Sequence, residues 1–217
     1  MAATAEIDPG ARRQHLVELL STILLAVAAV ATAWSTYQST RWRSVATAKY
    51  SRATAARIQS SEASTRAGQL TQVDIATFVQ WVNAYVAGNT KLADFYQRRF
   101  RKEFQPAFAA WLATNPRTNP SAPLTPFAMA QYRVAEQVKS DQLNAAAGVH
   151  AVGAGAASQR SDNYVLGVVL FAAALFFAGV STKLPSLRPR QLILALGWIV
   201  FIAATVWIAT FPVTFSV

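Results

Sequence analysis

Residues 164–211 read YVLGVVLFAAALFFAGV, STKLPSLRPRQ and LILALGWIVFIAATVWIATF in succession: two apolar runs, 164–180 and 192–211, joined by a short basic loop. A helix rises about 1.5 Å per residue, so about 20 apolar residues carry it across a hydrocarbon core of about 30 Å. The second run is free of charge throughout, and Ser181 and Thr182 extend the first. Hydrocarbon offers no partner to an unpaired backbone N–H or C=O, so such runs must be helical. The pair reads as a hairpin of two membrane-spanning helices, 164–182 and 192–211. Two buried helices of a soluble core would not run back to back with so little charge. Lys183, Arg188 and Arg190, with no acid in loop 183–191, mark a turn on the cytoplasmic side. Pro185 and Pro189 are expected to stop helix propagation there.

A third apolar run, 16–34, follows Arg12 and Arg13. Two readings compete for it. A signal peptide would have this basic start, an apolar centre and the small-x-small site Ala31-Thr32-Ala33. An uncleaved anchor would have the interfacial aromatics Trp34, Tyr37 and Trp42 at its end, and Glu18 sits awkwardly in a signal centre. The anchor reading gives a chain that crosses three times. Residues 1–15 are then an unstructured start broken by Pro9-Gly10, and 212–217 a short tail. Residues 35–163 lie outside the cytoplasm. Arg41, Arg43, Lys49 and Arg52 oppose that orientation, but long domains translocate largely regardless of charge. Glu18 is the candidate intramembrane polar site; it is close enough to the helix end to snorkel.

The 217 residues are 53% hydrophobic, high for a soluble domain and low for a protein wholly in the membrane, and the formal charge is +10. Basic residues beside spans serve topology and anionic lipid first, so this charge does not point to nucleic acid. The chain has no cysteine, which excludes disulfides and thiolate metal sites. No Walker loop, G-x-S-x-G or H-E-x-x-H pattern occurs. Gly153-Ala154-Gly155 lacks the third glycine and the preceding strand of a dinucleotide loop. His15 and His150 stand far apart. Glu62, Asp74, Asp94, Glu103, Glu136 and Asp141 show no paired spacing for acid–base work. Neither a cofactor nor an enzymatic activity is expected.

The middle region has almost no strand signal and is rich in Ala, Gln, Arg and Ser, which suit helix or are neutral to it. One long helix is expected over 44–87, continuing from the membrane. Ala46, Ala53, Ala56, Ser60, Ala63 and Ala67 recur near a 3.5-residue period and admit a closely packed partner. The expected partner is 144–158, with Gly148, Gly153 and Gly155, a kink being conceivable at the last two. Together they make an antiparallel stalk. Bulkier residues follow, with Phe78, Val82 and Tyr85 at i, i+4, i+7. Gly88-Asn89 should end this helix and Asn89 or Thr90 cap the next, which carries Leu92, Phe95, Tyr96, Phe100 and Phe104. Residues 115–126 (NPRTNPSAPLTP) are the clear loop, and Thr125-Pro126 read as the start of a returning helix through Phe127. These aromatics should form a small helical head.

Arg98, Arg99, Arg101 and Lys102 alternate with Phe100, Phe104 and Phe108. A basic amphipathic helix of this kind can contact anionic lipid or a partner, or simply present a solvated face. Gly167 and Gly179 are candidate helix-contact points within the second span.

The stretch AWSTYQSTRW, residues 33–42 just after the first apolar run, resembles uncharacterised bacterial membrane proteins with one N-terminal span, a helical middle and a C-terminal hairpin of spans. The resemblance implies a bacterial inner-membrane location and no activity, so no functional residues carry over. The expected class is an all-α integral membrane protein with a stalk and head between the first two spans. The expected function is a membrane-anchored scaffold or interaction subunit, contacting lipids and either its own copies or another membrane protein. The alternatives are an accessory subunit of a transporter or channel, using Glu18, and an anionic-lipid or envelope-contacting protein, using Arg98–Lys102.

Overall fold

The computed structural model describes residues 9–215, with side chains from Arg12 onward. The described residues form five helices: α1 (Pro9–Val86), α2 (Thr90–Gln97), α3 (Gln105–Ala113), α4 (Ala135–Ser181) and α5 (Leu187–Ala209). A short 3-10 turn, Pro126–Ala128, precedes α4, and no strand occurs among the described residues. The all-helical class is as expected. Three of the helices, α1, α4 and α5, contain stretches long and apolar enough to cross a membrane. Residues 1–8 of the expected unstructured start fall outside the described residues. Residues 9–15 are helical, with Pro9 in the first turn, where its missing N–H costs no bond.

The chain divides into two compact units: Met1–Tyr50 with Ala151–Val217, and Ser51–His150 between them. In the first unit, the N-terminal part of α1 packs with the C-terminal part of α4 and with α5. Leu24, Ala28, Ala174, Ala178 and Ala204 are buried among them. α1 and α4 run antiparallel through two buried serine pairs. The Ser21 and Ser181 hydroxyls lie 3.1 Å apart, and those of Ser39 and Ser161 3.2 Å apart. The Ser161 hydroxyl also donates to the Ser39 carbonyl at 3.0 Å. Small side chains let the helices approach, and the hydroxyls satisfy one another where no water reaches. Against α5, Gly197 leaves room for Leu24 and Phe177, and Gly167 leaves room for Ile208.

In the second unit the antiparallel contact recurs. The hydroxyls of Ser60 and Ser140 each donate to the other residue's carbonyl at 2.9 Å. Ala53, Ala63 and Ala67 are buried along the same stripe of α1, and Ala56 is half-buried. α1 stops at a Schellman turn. Gly88 takes φ +72, its N–H donates to the Tyr85 carbonyl, and the Asn89 N–H donates to the Ala84 carbonyl. Asn89 then caps α2, accepting from the Leu92 N–H at 3.1 Å. The aromatic core comprises Phe78, Trp81, Phe100, Phe104, Phe108 and Trp111, with Phe127 and Tyr132 packed against it. Its rings meet mostly edge to face, the arrangement their quadrupoles favour.

Several expected boundaries are corrected. α2 ends at Gln97, so Phe100 and Phe104 lie in a turn and not on that helix. The residues at Thr125–Pro126 start only a 3-10 turn, because Met129 is extended and α4 begins at Ala135. Pro189 lies within the first turn of α5, where a proline breaks no intrahelical bond; Pro185 alone stays in the loop. α4 runs unbroken through Gly153 and Gly155. The buried face near the end of α1 is Phe78, Trp81 and Ala84, while Tyr85 is exposed.

A side chain at 167 would run into the Ile208 Cδ1. Gly167→Leu should therefore destabilise the first unit by about 1–3 kcal/mol, the usual cost of overpacking. Ile208→Ala in the same chain should recover part of the loss. Thermal unfolding of the detergent-solubilised protein measures both.

Candidate functional site

The second unit holds a buried carboxylate, Asp74. It sits on α1 one turn before Phe78 and two before Trp81, and its exposure is 1%. Three elements converge on it. Arg101, in the turn between α2 and α3, places Nη1 3.0 Å from the Asp74 Oδ2. Tyr132, just ahead of α4, donates its hydroxyl to the same oxygen at 3.1 Å and lies 3.3 Å from the Thr71 hydroxyl. Glu103 pairs with the other end of the Arg101 guanidinium. The second carboxylate oxygen of Asp74 is buried without a partner among the described residues.

Burial pushes the Asp74 carboxyl above its ordinary value of 3.8. Arg101 and the Tyr132 hydroxyl act against that rise, and Glu103 adds to it. Burial likewise raises the Tyr132 phenol. Such a cluster can bind a proton and can clasp three segments together. Among the described residues no three His, Asp or Glu side chains gather as a metal site requires.

A cleft of about 630 Å³ opens in the same unit, lined by Trp81, Tyr85, Trp111, Leu112 and Arg117. Trp81 stacks on Tyr85 with centroids 4.8 Å apart, and the Arg117 guanidinium lies 5.5 Å from the Tyr85 centroid. The Trp111 indole N–H donates to the Pro123 carbonyl at 2.7 Å, fixing the loop that forms one wall.

The basic residues expected to share one amphipathic helix do not. Arg98 and Arg99 lie beyond the end of α2, with Arg99 3.9 Å over the Phe95 ring. Arg101 turns inward to Asp74, and Lys102 stays exposed in the turn. Phe100, Phe104 and Phe108 are buried in the core, so no apolar face accompanies the charges.

In the first unit, Glu18 faces Arg190 at 3.6 Å, joining the start of α1 to the start of α5. Gly153 packs on the Lys49 side chain, and Gly167 on Ile208. At Gly148, Gly155 and Gly179 an added Cβ would meet open space among the described residues. Residues 212–215, expected to be a simple tail, form a strap across α1. The Gln38 side chain accepts from the Thr214 N–H at 3.0 Å and donates to its carbonyl at 3.4 Å. Trp42 Nε1 donates to the Pro212 carbonyl at 3.1 Å, Tyr164 to the same carbonyl at 3.3 Å, and Arg41 to the Phe215 carbonyl at 3.0 Å. Arg160 covers the Trp42 ring at 4.5 Å.

Sequence reasoning passed over Asp74 as one of several scattered acids. The available signal was its place on the i, i+4, i+7 stripe that Phe78 and Trp81 continue. No family model, no curated protein and no solved structure matches the chain.

Removing Arg101 while keeping Asp74 strands a buried charge, so Arg101→Met should cost about 3 kcal/mol at neutral pH. Asp74→Asn should cost less, and the double variant should lie above Arg101→Met alone. The folded carboxyl holds its proton more tightly than the unfolded one. Its contribution to stability is therefore greatest below 3.8 and falls as pH rises through the window above that value. Asp74→Asn should remove this pH dependence. Hydrogen exchange over residues 71–82 of the full chain reads each effect.

Proposed function

We propose that the chain is a multi-pass protein of a bacterial inner membrane and acts as a membrane-anchored helical scaffold that self-associates along α4. The resemblance of residues 33–42 to uncharacterised membrane proteins of that layout supports the location. The observation that carries the function is the outer face of α4. From Asn144 to Gln159 the helix bears no Asp, Glu, Lys or Arg, and it exposes Val149 at 73% and Val152 at 76%. Gly148 and Gly155 lie beside these valines with open space over each. An uncharged face of small residues and valine suits close packing of a second helix.

Orientation follows the same reading. Arg12, Arg13, Lys183, Arg188 and Arg190 belong on the cytoplasmic side, which leaves residues 51–150 outside. Arg41, which opposes this by charge alone, is engaged by the carbonyl of Phe215. A transporter accessory role draws less support, since Glu18 is matched by Arg190. The lipid-contacting reading of Arg98, Arg99, Arg101 and Lys102 loses its apolar face to the core.

The chain has no cysteine, so an introduced one reports alone. Val152→Cys should form a disulfide-linked dimer in membranes under mild oxidation. Gly148→Leu and Gly155→Leu should reduce that yield severalfold without lowering the unfolding temperature, because each has space in its own chain. A monomeric Val152→Cys protein in intact membranes would end the self-association reading. For orientation, an impermeant thiol reagent on intact cells should label Ser121→Cys and spare Ser186→Cys; the opposite pattern would invert the topology.

A further inference from the structure

A groove of about 370 Å³ runs between the start of α1 and the start of α5. Its floor is Val17 and Leu194, both buried, with Trp198 beside them. Leu16 and Leu20 form one wall and remain 55% and 43% exposed. Arg13 and Gln191 stand at the rim. Arg13, Leu16, Val17 and Leu20 follow i, i+3, i+4, i+7 spacing, so one face of α1 carries a cation followed by hydrocarbon. Glu18 lies off that face and is engaged by Arg190. Arg13 has no carboxylate partner among the described residues.

The geometry points to a binding site for one anionic glycerophospholipid in this groove, its acyl chain against Leu16, Leu20, Leu194 and Trp198 and its phosphate at the Arg13 guanidinium. The walls are leucine and tryptophan, and they open along helices apolar enough to cross a membrane, where a lipid tail is the abundant occupant. An anionic head fits because the charge around the groove is net positive, Glu18 being matched by Arg190. The Ser21–Ser181 and Glu18–Arg190 contacts bring Arg12, Arg13, Lys183 and Arg188 to the same end as the groove. Basic pockets between spans on the cytoplasmic side suit acidic headgroups. The site rests on membrane insertion and is independent of self-association along α4.

The test uses the full chain, purified in detergent, stripped of lipid and titrated with phosphatidylglycerol or phosphatidylcholine while bound lipid is counted by native mass spectrometry. The wild-type chain should retain one phosphatidylglycerol in preference to phosphatidylcholine. Arg13→Gln should cut that preference about fivefold, the worth of one basic group at an anionic surface. Leu20→Trp, which fills the groove from an exposed position, should lower retention of either lipid. Arg188→Gln, at the same end but outside the groove, should change little. Equal loss in Arg188→Gln and Arg13→Gln would replace the site with diffuse attraction, and unaltered retention in both Arg13→Gln and Leu20→Trp would overturn it. If Arg13→Gln unfolds, Leu20→Trp decides. Release of the wild-type chain from membranes by alkaline carbonate would count against membrane insertion itself and is read separately.

Discussion

Close approach of α1 and α4 is the condition on which both units depend. In each unit it is secured by buried serine hydroxyls: Ser21 with Ser181 and Ser39 with Ser161 in one, Ser60 with Ser140 in the other. A larger side chain at these points would hold the backbones apart, and an alanine would remove the hydroxyl contact across the pair. Serine meets both demands because it is small and its Oγ can also bond a carbonyl, as Ser21 does to Val17 and Ser181 to Ala178. Alanines fill the remaining contacts, including Ala53, Ala63, Ala147 and Ala154. A seam of this kind gains little from hydrophobic area per residue. It relies on many close van der Waals contacts and on hydroxyl pairs that bond across the contact.

The second unit solves a different problem. Its aromatic core cannot be built from α1 and α4 alone, so the turn between α2 and α3, α3 itself and the loop before α4 supply Phe100, Phe104, Phe108, Trp111 and Phe127. Those segments are short and need fastening. Asp74 does this from α1, holding Arg101 of one connection and Tyr132 of another through a single carboxylate oxygen. The energetic tension is plain: desolvation acts against the charge that makes the clasp strong.

The sequence displays the parts of this fold that are governed by local rules. The apolar runs at 164–180 and 192–211, the Schellman glycine at 88 and the Asn89 cap are legible because length, φ > 0 and side-chain capping leave direct marks. The small-residue stripe of α1 is legible from its period. The serine pairs are not, because serine is common and near-neutral in helices, and the partners lie 80 to 160 positions apart. The turn at 98–104 was hidden for a related reason: Phe100, Phe104 and Phe108 keep helical spacing across a break that only tertiary packing requires. The inward turn of Arg101 depends on Asp74, 27 residues earlier, so a row of four basic residues looked alike when one of them was paired with a buried carboxylate.

The strap at Pro212–Phe215 bears on how the first unit is assembled. Its bonds to Gln38, Arg41 and Trp42 link positions 170 to 176 apart, among the most distant pairings in the chain. Contacts that remote are entropically late, since the intervening chain must be arranged before they can close. Until then, the amide of Gln38 and the indole N–H of Trp42 sit on an otherwise finished helix without their acceptors. The same residues that complete the folded unit thus advertise an incomplete one, presenting paired donors beside apolar surface for as long as the closing segment is missing.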